Sequence, residues 1–265
     1  MSRRTAALLL FLPLAGALAL LLLNALLPIA ENGATALALE AGASALCAVA
    51  AYALCAAAEC RLFPQKGERP AFPAPCPPLF AVGTALCFLV ALNNLPFLAL
   101  LSGRAQVSAG IGRILLFACS CLATAAFEEL FFRGLLFTRL LRRGRGVLPA
   151  LLLSSAIFGV AHLFNLAAGA SAPETLLQVG YSFLVGCAAA LLYLFSRSIA
   201  VPVLFHALYN FGGLLVPRLG SGTLFDTPTV IFTAVLAVMC AFFLFRTLFL
   251  WEMAAVKEQF LEKTR

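Results

Sequence analysis

Charge is what this chain most lacks. Only 11% of its 265 residues are charged, against 63% hydrophobic, and its mean hydropathy is +1.03. That balance excludes an ordinary soluble globular protein. Long polar stretches are also missing, which leaves no room for a separate soluble domain. The longest, RLFPQKGERPAFPAPCPP over residues 61–78, is rich in proline and reads as an extended linker. The nine cysteines are odd in number, lie mostly in apolar segments and form no C-x-x-C pair. They read as small apolar packing residues rather than as a redox or metal framework. No internal repeat and no H-E-x-x-H motif occur, and histidine is reduced to two residues.

What the chain has in abundance is uncharged sequence. Such runs cover 5–30, 41–58, 70–103, 114–127, 146–173, 175–196, 198–217 and 227–245. A bilayer core of about 30 Å is crossed by about 20 apolar residues in a helix. A helix also satisfies its own backbone polar groups where there is no water. The runs predict an all-α polytopic transmembrane bundle with spans at 6–29, 34–58, 79–101, 110–133 with an extension, 147–168, 174–196, 199–217 and 228–250. Residues 1–265 are expected to form a single membrane domain. Two leading helices would lie within 1–60, the cytoplasmic linker at 61–78 and a six-helix core at 79–250. The first span is too long and too leucine-rich for a cleaved signal peptide, so it is expected to stay as an anchor.

Basic residues set the orientation. With Arg3 and Arg4 placed inside and the spans alternating, the inside segments hold 14 Lys and Arg residues and the outside segments hold Arg104, Arg113 and Arg218. That bias predicts both termini on the cytoplasmic side. The net charge of +7 is then a topology signal, and no nucleic-acid partner is implied. The tail WEMAAVKEQFLEKTR (251–265) mixes charge signs at helical spacing. It reads as an interfacial helix with Trp251 at the level of the headgroups.

Against this background the stretch FEELFFRG, Phe127 to Gly134, stands out. A charge within an apolar segment is costly, and ionisable residues inside spans mark function by default. The helical segment around it, 110–142, would be roughly 50 Å long, more than one straight span needs. Gly134 offers a bend, after which Arg139, Arg142 and Arg143 share one face and can snorkel to the cytoplasmic surface. Both histidines also fall within spans: His162 ends FGVAH, and His206 opens HALYN with Asn210.

Helical spacing assigns partners. Glu129 and Arg133 are four apart with the acid first, the favourable order for an ion pair. Glu128 points about 100° away from Glu129, off the face that carries Arg133. A carboxylate held in apolar surroundings acquires the basicity that a general base needs near neutral pH. His206 and Asn210 line one face at i, i+4, and Phe158 sits one turn before His162 and can shape its pocket. Measured from Arg143, Arg145 and Arg197 as edge markers, Glu128 lies roughly 22 Å deep, His162 roughly 25 Å, His206 roughly 13 Å and Asn210 roughly 19 Å. Rare polar groups on three helices thus fall within the hydrocarbon region together. Glu40 and the pair Asn93–Asn94 find no place in this set and are expected to be core hydrogen-bonding residues.

The trio E-E-x-x-x-R at 128–133, F-x-x-x-H at 158–162 and H-x-x-x-N at 206–210 resembles the three motifs of the CPBP family. These are intramembrane proteases related to the type II CAAX prenyl endopeptidases, also called the Abi family. The likeness runs from about residue 110 to 217 and shows no departure at motif positions. It implies an endopeptidase in which Glu128 and His162 hold and activate a water, His206 and Asn210 stabilise the oxyanion, and Arg133 fixes the motif through Glu129. The implied partners are the lipid bilayer and a peptide or membrane-protein substrate. Small size and the family's distribution point to a prokaryotic cytoplasmic membrane.

No cofactor is required by this reading. A zinc held by Glu128, His162 and His206 with a water in the fourth position is the competing chemistry. The absence of H-E-x-x-H and the presence of Asn210, a poor zinc ligand, favour the metal-free version. Two other functions compete. An ion-coupled transporter would use intramembrane carboxylates and histidines as a proton relay, but it calls for inverted repeats. The complete motif set counts against a non-catalytic membrane partner, but not against a bacteriocin-immunity protein that acts through proteolysis.

Overall fold

The structure is a computed structural model that describes residues 34–57, 77–143, 146–167 and 169–263. The predicted span 6–29, the linker 61–78 except for its last two residues, and Arg145 lie outside the described residues. Among the described residues, seven helical segments are long and apolar enough to cross a membrane. The chain is therefore an all-α polytopic protein, as its uncharged runs imply.

The elements are α1 (Ala34–Ala57), α2 (Pro77–Asn93), α3 (Phe97–Leu101), β1 (Ala105–Val107), α4 (Ile111–Glu129), a π-helical stretch (Leu130–Phe137), α5 (Thr138–Arg142), α6 (Val147–Ala161), α7 (Phe164–Ala167), α8 (Ala172–Ser196), α9 (Ala200–Leu219), β2 (Gly220–Gly222) and α10 (Thr227–Lys263). They form two compact units interleaved along the chain. One takes residues up to Cys60 together with Gly110–Cys187; the other takes Arg61–Ala109 and Ala188–Arg265. The last nine residues of α8 belong to the second unit.

In the first unit α1 packs against α4 and the π-helical stretch. Ser44 and Thr124 share a hydroxyl–hydroxyl bond of 3.0 Å, and the Cys55 thiol donates to the Leu130 carbonyl at 3.4 Å. Small residues permit such close packing where lipid supplies no hydrophobic drive between helices. A Cβ on Gly134 would sit 3.1 Å from Cys55 Sγ. The expected hinge at Gly134 is thus a contact point inside a π-helical stretch. Hydrogen bonding to the fifth residue, rather than glycine's freedom, re-aims the residues that follow. The Thr138 hydroxyl bonds the Arg133 carbonyl, five residues back, at 2.9 Å.

Helix α6 carries the same logic to α8. A Cβ on Gly159 would meet the Val179 carbonyl oxygen at 2.8 Å, and one on Gly186 would meet Ser155 Cβ at 3.0 Å. Both glycines are there because backbone passes against backbone.

In the second unit α2 packs on α9 and α10. The predicted span 79–101 is interrupted at Asn94–Pro96, where proline removes a donor. Asn93 donates to Thr233 Oγ1 at 2.6 Å and Asn94 to the Tyr209 carbonyl at 3.3 Å. The asparagine pair is therefore interhelical glue. A two-stranded antiparallel ladder pairs Ala105 with Gly222 and Val107 with Gly220. Gly222 adopts φ +109° and lies against the Arg104 carbonyl. The turn is closed by a 3.0 Å ion pair between Arg104 and Asp226.

The tail departs from expectation. It continues α10 without a break to Lys263, and Trp251 is buried, edge-on to Phe195 with ring centroids 6.2 Å apart.

Candidate active site

Glu129 and Arg133 bracket the start of the π-helical stretch and are the least exposed charged groups of the described chain, at 0% and 1%. Arg133 Nη1 donates to Glu129 Oε1 at 2.7 Å, and Nη2 donates to the Gly186 carbonyl at 3.1 Å. The guanidinium carbon also lies 4.6 Å from the centre of the Phe158 ring. A charge out of water has to be repaid by pairing, hydrogen bonds and polarisable faces, and here all three are present. The sequence-predicted pair is thus real, but its anchoring to α8 was invisible. Nothing in the spacing identifies a backbone carbonyl 53 residues away as a partner.

Phe158 is the junction. It is 2% exposed, stacks edge-on with Phe132 at 5.0 Å and meets the His162 ring edge-on at 5.1 Å and 90°. Its carbonyl oxygen is 3.0 Å from His162 Nδ1. A carbonyl only accepts, so Nδ1 is the donor in this contact, and in the neutral imidazole Nε2 then keeps its lone pair. The motif F-x-x-x-H therefore sets both the place and the tautomer of the imidazole. His162 stands where α6 ends: its N–H bonds the Gly159 carbonyl at 3.1 Å, in the tighter i→i+3 pattern. Ser182 of α8 lies 3.5 Å from His162 Nε2 and is buried. The sequence reading missed it, although a serine in so apolar a helix was a signal.

Glu128 is half-buried, one position before the locked Glu129. The two adjacent carboxylates are thereby given different environments, as the 100° offset requires. The first unit thus gathers Glu129, Arg133, Phe158 and His162 into one chain of contacts, and Glu128 precedes its first member in sequence.

The second unit holds His206 and Asn210 one turn apart on α9. His206 is 3% exposed and Asn210 is half-buried. Their helix is held against α2 and the break that follows it. Phe205 packs edge-on to Phe88 at 6.2 Å. A Cβ on Gly212 would lie 2.8 Å from the Asn94 backbone, so α9 rides directly on the Asn94–Pro96 break. Among the described residues, no three His, Cys, Asp or Glu side chains are grouped as a metal cluster.

No curated protein and no solved structure matches this chain. A family model does match, over residues 110–212: the type II CAAX prenyl endopeptidase Rce1-like family. That stretch contains Glu128, Glu129, Arg133, Phe158, His162, His206 and Asn210. Its boundaries agree with the likeness drawn from the three motifs, and the family is one of intramembrane CAAX-type proteases. Over residues 110–212 the chain is similar to the Rce1-like family of type II CAAX prenyl endopeptidases.

Proposed function

We propose that this protein is an intramembrane endopeptidase in which Glu128 and His162 activate the water that attacks a peptide carbonyl. The observation that carries this reading is the hydrogen bond from His162 Nδ1 to the Phe158 carbonyl. It leaves Nε2 as an acceptor, the state that a water-orienting histidine needs. The water donates one proton toward His162 Nε2 and gives the other to Glu128 as its oxygen bonds to the carbonyl carbon. The carbonyl oxygen takes the negative charge, and His206 and Asn210 donate to it. When the tetrahedral intermediate collapses, the C–N bond breaks and Glu128 returns its proton to the leaving amine. Glu129 and Arg133 touch no reacting atom. They hold the helix that carries Glu128.

The arrangement calls for no metal. Glu129 is engaged by Arg133, which leaves Glu128, His162 and His206 as the only set from the motifs able to bind zinc. Asn210 beside His206 on α9 suits two donors aimed at one developing charge, and a metal on the donating nitrogen would forbid that role. The substrate is a peptide or membrane-protein segment, unprenylated in a prokaryotic host, cleaved within the bilayer of the cytoplasmic membrane. The test is a peptide-library cleavage assay in liposomes with the wild type and Glu128→Gln. Wild-type cleavage that is lost in the variant supports the reading. Full activity of a folded Glu128→Gln protein overturns it.

A further inference from the structure

Hydrolysis in a bilayer consumes water where there is none. Helix α8 carries polar side chains at Thr175, Gln178 and Ser182, spaced three and four apart, so they share one face. That face is turned inward: Thr175 is 1% and Ser182 3% exposed, and Gln178 is half-buried. Each position meets something different. Ser182 Oγ is 3.5 Å from His162 Nε2, the outer limit of a direct hydrogen bond. Gln178 Oε1 accepts from Asn165 Nδ2 at 2.7 Å, which leaves one amide N–H on Asn165 and both on Gln178. Thr175 Oγ1 is fully buried and has no hydrogen-bond partner among the described residues.

The last fact is the informative one. Hydroxyls in apolar helices ordinarily turn back on their own backbone. Thr233 and Thr247 do so here, each bonding the carbonyl four residues earlier at 2.8 Å. Thr175 does not, and an unpartnered buried hydroxyl is costly unless a water satisfies it. Just beyond Thr175, Ser171 is exposed ahead of the helix start, so the stripe reaches the surface.

We propose that Thr175, Gln178 and Ser182, with Asn165 opposite, form a water conduit leading to His162 Nε2. From Thr175 to Ser182 is a rise of roughly 10 Å, the length of about three hydrogen-bonded waters. Each water in such a file needs two or more polar partners, and the stripe supplies one every turn. The proposal rests on the reading of His162 as the site of water activation.

The test reads water access without turnover. The full chain carrying Ser182→Cys is reconstituted in liposomes and treated with a small water-borne thiosulfonate. Modification is followed site by site by mass spectrometry, with native Cys87, buried in α2, as the dry reference. A thiol reacts as thiolate, so its rate reports water. The expected rate at the introduced thiol is at least tenfold that at Cys87, and adding Thr175→Val with Gln178→Leu lowers it at least tenfold. If the double change perturbs folding in a detergent melt, Thr175→Val alone, close in shape, is used and is expected to lower the rate at least threefold. Thr175→Ser restores it. A merely structural hydroxyl would leave the rate unmoved. Equal rates at the introduced thiol and Cys87, or a rate indifferent to Thr175 and Gln178, overturn the conduit. The same measurements in a Glu128→Gln background separate the two ideas. Stripe-dependent labelling beside an active Glu128→Gln enzyme would sink the hydrolytic mechanism alone, and an inactive Glu128→Gln enzyme with stripe-independent labelling would sink the conduit alone.

Discussion

Two neighbouring glutamates in different environments are the clearest residue-scale lesson. Glu129 is wholly buried and bound to Arg133, so its charge is structural. Glu128, rotated one position around the helix, is half-buried and is assigned the chemistry. Removing one partner of a buried pair leaves the other charge out of water, at a cost of about 3–5 kcal/mol. Arg133→Ala is therefore expected to lower the melting temperature in detergent sharply and to reduce yield. Glu128→Gln should melt like the wild type while losing peptidase activity. Equal melting temperatures for Arg133→Ala and the wild type would contradict the pairing. His162→Ala is expected to abolish cleavage in a folded protein, and His206→Ala likewise if it donates to the oxyanion.

At the scale of elements, position is decided by where backbones touch. Gly159 lets α6 lie against α8, and its Cβ would meet the Val179 carbonyl at 2.8 Å. Because His162 rides on the end of α6, Gly159→Val is expected to cost about 1–3 kcal/mol by overpacking and to depress kcat as well, measured by melting and by cleavage rate. A second element-scale prediction concerns the start of α10. Asp226 accepts from the Thr229 N–H at 2.9 Å, the geometry of a helix cap. Hydrogen bonding from Thr229, first through its side chain and then its backbone, with Arg104 adding to it, holds the Asp226 carboxyl below its ordinary 3.8. A depressed folded value stabilises the fold above that ordinary value, and the contribution disappears as pH falls through the depressed one. Asp226→Asn should thus melt lower than the wild type at neutral pH, with the gap closing in acid. A gap that persists or widens in acid would refute this assignment.

For the whole molecule, the prediction concerns the chemistry of the three motifs. Peptide cleavage is expected to survive exhaustive chelation, with less than stoichiometric zinc in the purified protein by mass spectrometry. Loss of activity restored specifically by zinc, at about one zinc per chain, would convert Glu128, His162 and His206 into ligands. Much of the molecule was readable before any coordinates. The positions of the described spans follow from uncharged length, because a bilayer crossing imposes a fixed number of apolar residues. Glu129–Arg133, F-x-x-x-H and H-x-x-x-N were readable because an α-helix maps a spacing of four onto one face.

Sequence alone therefore determined the class of the protein, the likeness of residues 110–212 to the Rce1-like family and the positions of the three motifs. These depend on composition and on neighbours a few positions apart, which helix geometry converts directly into space. Only the tertiary structure decided that Arg133 also reaches the Gly186 carbonyl. It likewise revealed the π-helical stretch at Leu130–Phe137 where Gly134 suggested a bend, and the burial of Trp251 against Phe195. The same holds for Ser182, set beside His162 Nε2. Each of these rests on contacts between residues far apart in the chain, or on a hydrogen-bond register that close packing selects. No periodicity within a single helix records which surface its neighbour will present.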